Sequence, residues 1–119
     1  MRRALALIAL VSCVHATSEP QTFAFPRESD DLIRIAADAR VVERLLARKR
    51  AERDVVSVLC LNDKLVQIAT ARRSVRTREA ALRVAVEQRD DVAAARERSW
   101  IALLGKRADA LTSEALRCV

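Results

Sequence analysis

The sequence predicts an all-α protein: a disulfide-linked antiparallel helical hairpin, preceded by a further helix. Three observations support this fold class. The chain has one glycine and two prolines, and no proline follows residue 26. It is rich in Ala, Arg, Leu and Glu, which lose little freedom in a helix, whereas β-sheet folds need turn residues that are scarce here. Finally, Cys60 and Cys118 lie at equal distances along the chain from Arg89.

The first sixteen residues have the features of an export signal. Arg2 and Arg3 form a short basic region, an apolar stretch follows, and Ala16 provides the small residue that signal peptidase accepts. The apolar stretch is much shorter than the roughly 20 residues that span a bilayer. We therefore expect residues 1–16 to be a signal peptide, the mature chain to be periplasmic or extracellular, and the protein to have no transmembrane span.

Cys13 allows a second interpretation of the same segment. The stretch Leu10-Val11-Ser12-Cys13 resembles the lipobox of bacterial lipoproteins, in which the cysteine is lipidated and becomes the new N-terminus. The protein would then be anchored to a membrane through Cys13. In either case Cys60 and Cys118 remain as an even pair in an oxidising compartment, which favours a structural disulfide between them.

The remainder of the chain divides into a linker and one domain. Residues 17–28 contain both prolines and are predicted to form a flexible linker, and residues 29–119 a helical-bundle or coiled-coil domain. Helix A is expected over about 29–52, with Ser29 as its N-cap. Its apolar residues recur at the 3,4 spacing of seams that pair helices. They are Leu32, Ile35, Ala39, Val42 and Leu46.

Helices B and C are predicted over about 54–88 and 91–118. No glycine or proline separates helix A from helix B, so the sequence leaves open whether the two form one continuous helix. The apolar residues of helices B and C also recur at 3,4 spacing, which predicts that these two helices pack together. Trp100 is expected to fill space near the turn that joins them.

The polar run around Arg89 supplies that turn, with Asp90 as the N-cap of helix C. A hairpin that reverses there pairs residues whose numbers sum to about 178. Cys60 then lies opposite Cys118, within the range of a disulfide for closely packed helices. A rival turn at 74–77 would leave Cys60 without a partner.

The sequence carries no catalytic signature. Its only histidine, His15, lies in the predicted signal, it has no tyrosine, and a single glycine excludes glycine-rich phosphate loops. The carboxylate pairs Asp30/Asp31 and Asp90/Asp91 lie at predicted helix starts, where capping and the helix dipole account for them. We therefore predict no enzymatic activity, no catalytic or metal-binding residues and no cofactor.

The full chain has 22 basic and 16 acidic residues, which gives it a formal net charge of +6. Many of them form two clusters, Arg48, Lys49, Arg50 and Arg53, and Arg72, Arg73, Arg76 and Arg78. Such clusters bind anionic lipid headgroups, glycans or nucleic acid, and they also occur on solvated helix faces. If these clusters bind a partner in an exported protein, we expect an anionic envelope surface rather than nucleic acid.

One short motif resembles other proteins. The stretch Cys60-Leu61-Asn62-Asp63-Lys64-Leu65, followed by helix and a cysteine near the end, resembles uncharacterised small exported helical proteins of bacteria. The resemblance covers residues 60–118 and supports the hairpin, but it implies no activity.

Two classes of function remain. The first is a non-enzymatic structural or protein-interaction module of the cell envelope, which binds a second copy through helix A or binds another envelope protein. The second is a periplasmic holdase. In that case the protein resembles the basic, helical-tentacle chaperones that escort outer-membrane proteins, although its sequence lacks their β-rich oligomerisation core.

Overall fold

The computed structural model describes residues 27–119, which form three helices joined by two short turns. The helices are α1 (Asp30–Ala51), α2 (Val55–Glu87) and α3 (Asp91–Leu116). Residues 27–119 contain no strand, so the predicted all-α class is confirmed. The predicted signal peptide over 1–16, including Cys13, and most of the predicted linker lie outside the described residues.

α1 and α2 are separate antiparallel helices, so the continuous helix that the sequence left open is not formed. Near the start of α1, Glu28 Oε1 lies 2.5 Å from Arg72 Nη2, in the middle of α2. α1 therefore folds back along α2. It also reaches α3, because Arg34 Nε lies 3.8 Å from Asp109 Oδ1. The result is a three-helix bundle in which α1 occupies one groove of the α2–α3 hairpin.

The same backbone arrangement forms both turns. Arg53 follows the end of α1 and Arg89 follows the end of α2, and their φ angles are positive, 60° and 55°. In each turn the next amide donates a hydrogen bond to the carbonyl five residues earlier, at 3.0 and 2.9 Å. This is the Schellman motif, in which glycine usually takes the positive φ. The turns therefore form without the glycine that normally signals them.

An aspartate or serine side chain caps the start of each helix. Ser29, Asp54 and Asp90 each accept a hydrogen bond from the amide three residues later, at 3.2, 3.1 and 2.9 Å. These bonds satisfy amides that have no partner within the helix. The predicted caps at Ser29 and Asp90 are confirmed.

One apolar core runs between the three helices. Its buried members are Leu32, Ile35, Val42 and Leu46 of α1, Leu61, Ile68 and Val75 of α2, and Ile101, Ala108, Leu111 and Ala115 of α3. The seam predicted on helix A is therefore buried against α2 and α3 of the same chain. A second copy that used this seam would have to displace α2 and α3, and the homo-oligomer predicted through helix A stays a prediction.

The pairing of α2 with α3 follows the predicted register. Lys64 Nζ lies 2.9 Å from Glu114 Oε2, and the guanidinium carbon of Arg78 lies 5.2 Å from the centroid of the Trp100 ring. The residue numbers of both pairs sum to 178. The rival turn at 74–77 is not formed, because α2 continues through it.

Candidate protein-interaction surface

The predicted disulfide is present and closes one end of the hairpin. It joins Cys60, near the start of α2, to Cys118, just past the end of α3, with 5.8 Å between the Cα atoms. One turn away, the ammonium of Lys64 donates a hydrogen bond to Glu114, which lowers the pKa of Glu114 and raises that of Lys64. A covalent bond and an ion pair thus hold α2 and α3 together at this end.

The basic cluster predicted on α2 is partly neutralised within the chain. Arg72 Nη2 and Arg76 Nη2 lie 2.5 and 3.4 Å from Glu28 Oε1, and these contacts lower the pKa of Glu28. Arg78 pairs with a buried glutamate of α3 at 3.2 Å. Arg73 is exposed. Three of the four guanidinium groups therefore contribute to contacts between segments of the chain.

The other basic cluster lies at the end of α1. Lys49 Nζ contacts Glu52 Oε2 at 2.7 Å, and Arg48 and Arg50 share the last turn, where cations complement the helix dipole. Arg53 forms the turn itself. Local structure thus accounts in part for both clusters, and binding of an anionic envelope surface by these eight residues stays a prediction.

The α2–α3 hairpin has two grooves, and among residues 27–119 only one of them is filled, by α1. The other contains a cleft of about 270 Å³ between α2 and α3. Its lining includes Val66, Thr70, Ala71, Ser74, Leu104 and Leu111. We call this side of the hairpin the outer face.

Two large apolar side chains extend the outer face. Trp100 is 43% exposed and Leu103 is 55% exposed. A second cleft, lined in part by Trp100, shares Ser74 and Leu104 with the first one. Because exposed apolar groups that adjoin a cleft are typical of contact surfaces, the outer face is the best candidate for an interaction site in the described part of the chain.

The sequence did not predict this role for Trp100. We expected its ring to fill space near the turn, but it lies half-exposed on the outer face, beside Arg78. Small residues, Ala85 and Ala94, are buried near the turn instead. The spacing carried a signal that we missed: Trp100 and Leu103 each precede a core-facing residue by one position, so they form a second stripe beside the core.

α1 and α3 also bring two carboxylates together, which the sequence did not predict either. Asp38 faces Asp109, and Asp38 Oδ2 is buried without a hydrogen-bond partner among the described residues. Burial, and then the nearby charge of Asp109, raise the pKa of Asp38. Residues 27–119 hold no group of three or more side chains suited to a metal ion. The carboxylate pair is therefore a source of pH dependence.

Together the fold and this surface define a disulfide-linked three-helix bundle with one open apolar face. No protein-family model, no curated protein and no solved structure matches the chain. None of the three helices is apolar enough over a sufficient length to cross a membrane.

Proposed function

We propose that the chain is an exported cell-envelope protein that acts as a non-enzymatic protein-interaction module. The observation that carries this proposal is the outer face, where Trp100 and Leu103 are exposed beside an apolar cleft while α1 covers the opposite groove. The disulfide supports export, because such bonds persist in oxidising compartments. The export signal predicted over 1–16 agrees with that location.

The architecture suits a module that presents a fixed surface. The Cys60–Cys118 bond and the Lys64–Glu114 pair hold one end of the hairpin together. α1 packs in the groove opposite the outer face. A surface held in place before binding loses less conformational entropy when a partner docks. An elongated groove between two helices fits a third helix that inserts apolar side chains at 3,4 spacing.

A crosslinking experiment tests the interaction role. The full chain, with its own N-terminus, would be produced in a bacterial host with a photoreactive amino acid in place of Leu103. We expect light-dependent adducts with an envelope protein or with a second copy. Arg40, exposed on α1, is the matched control position. If Leu103 gives no more adduct than Arg40 does, the outer face is not an interaction surface and the proposal fails.

Intact-mass measurement of the same protein tests export. Cleavage after Ala16 or a lipid on Cys13 would each support it, and the mass would show which of the two occurs. Reduction should add two hydrogen atoms as the disulfide opens. Recovery of an unprocessed chain with free thiols from the cytoplasm would overturn the exported location.

The holdase alternative predicts a different behaviour. A holdase binds unfolded chains through many exposed apolar side chains, and several besides Trp100 and Leu103 are exposed here, including Val55, Val56 and Leu59. Suppression of aggregation of an unfolded outer-membrane protein, unaffected by Leu103→Ser, would favour the holdase over the module.

A further inference from the structure

α3 carries a second seam besides the one in the core. Six residues recur along it at 4,3,4,3,4 spacing: Arg96, Trp100, Leu103, Arg107, Ala110 and Glu114. We call these six residues the outer seam. Five of them are exposed, Glu114 is half-buried, and the seam borders the cleft of the outer face. Three of the six residues are apolar or alanine and three are charged, and their spacing places all six on one face of α3.

The residues of the outer seam complement one another when the α3 helices of two copies pack antiparallel along it. Pairing residues whose numbers sum to 210 sets Arg96 against Glu114, so that opposite charges meet at both ends. Trp100, the largest side chain, then meets Ala110, the smallest. In the centre Leu103 meets Arg107, whose aliphatic stem can cover an apolar neighbour while the guanidinium keeps its contacts with Gln67 and Glu114. A parallel pairing would instead set Arg96 on Arg96 and Trp100 on Trp100.

The cleft provides space for the tryptophan. It adjoins Leu104, Arg107 and Leu111, close to the position that Trp100 of an antiparallel copy would face. Its volume is about 270 Å³, and its lining includes Gln67 and Arg107, which are joined across it by a hydrogen bond of 3.1 Å. The outer seam therefore offers both a protruding side chain and, about two helical turns away, a recess for the same side chain from another copy.

α2 leaves room for this approach. On the outer face, near the level at which the two-fold axis would cross, α2 presents Thr70, Ala71, Ser74 and Thr77. Two long side chains lie near this level: Arg78 is turned toward Glu97 and Trp100, and the exposed Arg73 donates a hydrogen bond to Thr70 Oγ1 at 3.1 Å. Small side chains at this position let two helix pairs come close together.

Charge also favours this register. Glu114 is fixed by Lys64 and Arg107, with 2.9 and 3.1 Å between the charged atoms, so it is ionised and held at the edge of the seam. Arg96 has one carboxylate neighbour among the described residues, Glu97 at 3.6 Å, and most of its side chain is exposed. Arg96 of a second copy would exchange its 3.6 Å contact with Glu97 for one with Glu114, while Arg78 stays paired with Glu97.

We propose that the outer seam binds a second copy of this chain, antiparallel and about a two-fold axis that passes between Leu103 and Arg107, with Trp100 of each copy in the cleft of the other. A closed two-fold dimer satisfies both seams at once. This inference rests on the proposed function and names the partner that occupies the outer face.

Sedimentation velocity of the exported, oxidised protein over a range of concentrations tests the dimer. We expect a reversible monomer–dimer equilibrium. Trp100→Ala and Ala110→Trp should each raise the dissociation constant about tenfold or more, because a central aromatic anchor is lost or faces a bulky residue. The double variant moves the tryptophan to the facing position and should restore the wild-type constant to within about threefold. Ala102→Trp, at an exposed alanine outside the seam, is the control and should leave dimerisation unchanged.

A second pair of variants tests the register through charge. Arg96→Glu and Glu114→Arg should each weaken the dimer, and combining them should strengthen it relative to either single variant. Circular dichroism checks that every variant keeps its helices. A monomer at all concentrations would overturn the dimer, and a dimer that neither double variant restores would overturn this register. Adducts between Leu103 and a different envelope protein, found together with a monomer, would leave the interaction module standing and reject only the second copy.

Discussion

Arg53 and Arg89 occupy equivalent positions in the two turns of the bundle. Each has a positive φ, each follows a helix end, and each precedes an aspartate that caps the next helix. The left-handed backbone region disfavours residues with a Cβ atom, and glycine is the residue that normally occupies it. Both turns therefore carry a conformational cost that the surrounding hydrogen bonds offset.

We expect Arg53→Gly and Arg89→Gly each to raise the free energy of unfolding by about 1 kcal/mol, because the left-handed conformation is then free of steric cost. Urea denaturation followed by circular dichroism measures the change. Arg44→Gly, in the middle of α1, is the control and should lower stability by about 1 kcal/mol, since glycine is a poor helix former. Loss of stability in both turn variants would contradict this account of the turns.

The disulfide should contribute a larger share of stability. Replacing both Cys60 and Cys118 by serine frees a loop whose ends are 58 residues apart. The chain-entropy model then predicts a loss of about 4 kcal/mol. Denaturation of the double variant and of the chemically reduced wild type should give similar values. If both retain the stability of the oxidised protein, α1 and the core suffice to hold the hairpin closed.

Much of the fold was predictable because two signals were independent of each other. The 3,4 spacing of apolar residues located the helices, and the equal distances of Cys60 and Cys118 from Arg89 fixed the register of α2 and α3. Ser and Asp are strongly preferred at the N-cap, so the caps at Ser29 and Asp90 could also be predicted.

The predicted bounds of helices A and B, 52 and 54, match the break between α1 and α2, but the sequence left open whether a turn separates them. Charged residues within 47–54 interrupt the apolar spacing, but no glycine or proline lies there, so the sequence did not decide between a turn and a continuous helix. The Arg-Asp pair at 53–54 recurs at 89–90, and it marks both turns where glycine would normally do so. The outer face could not be predicted either, since it depends on which of two grooves α1 fills, and that choice follows from packing of the whole core.

Asp38 should make the folded state less stable as the pH rises, whereas most carboxylates of folded proteins have the opposite effect. Burial and the nearby Asp109 raise the pKa of Asp38 in the folded chain above its ordinary value. The folded state therefore holds the proton more tightly than the unfolded state does. The resulting stabilisation is present at acidic pH and is lost as the pH rises through the raised pKa.

We expect Asp38→Asn, which stays neutral, to be more stable than the wild type at pH 7, by about 0.5–1.5 kcal/mol if its amide bonds to Asp109. The difference should disappear at acidic pH, where the wild-type carboxyl is also neutral. Thermal denaturation at several pH values measures it. Glu43→Gln, at an exposed carboxylate of α1, should show no comparable effect, and an equal gain there would assign the result to net charge.

Arg78 links a buried charge to the outer face. Glu97 is 5% exposed, and its Oε2 lies 3.2 Å from Arg78 Nη1, while the same guanidinium rests on the Trp100 ring. Removing Arg78 leaves the buried carboxylate with only the more distant Arg96. We expect Arg78→Ala to lower the free energy of unfolding by about 1–3 kcal/mol, the cost of a buried polar group that loses its partner.

Removing both charges separates this effect from lost packing. Arg78→Leu combined with Glu97→Leu should be more stable than Arg78→Leu alone, because no buried carboxylate is left without its partner. Urea denaturation measures stability. Emission from Trp100, the only tryptophan in the chain, reports separately on loss of the guanidinium contact. If Arg78→Leu and the double variant are equally destabilised, Arg78 acts through its stem against Trp100 and the ion pair with Glu97 adds nothing.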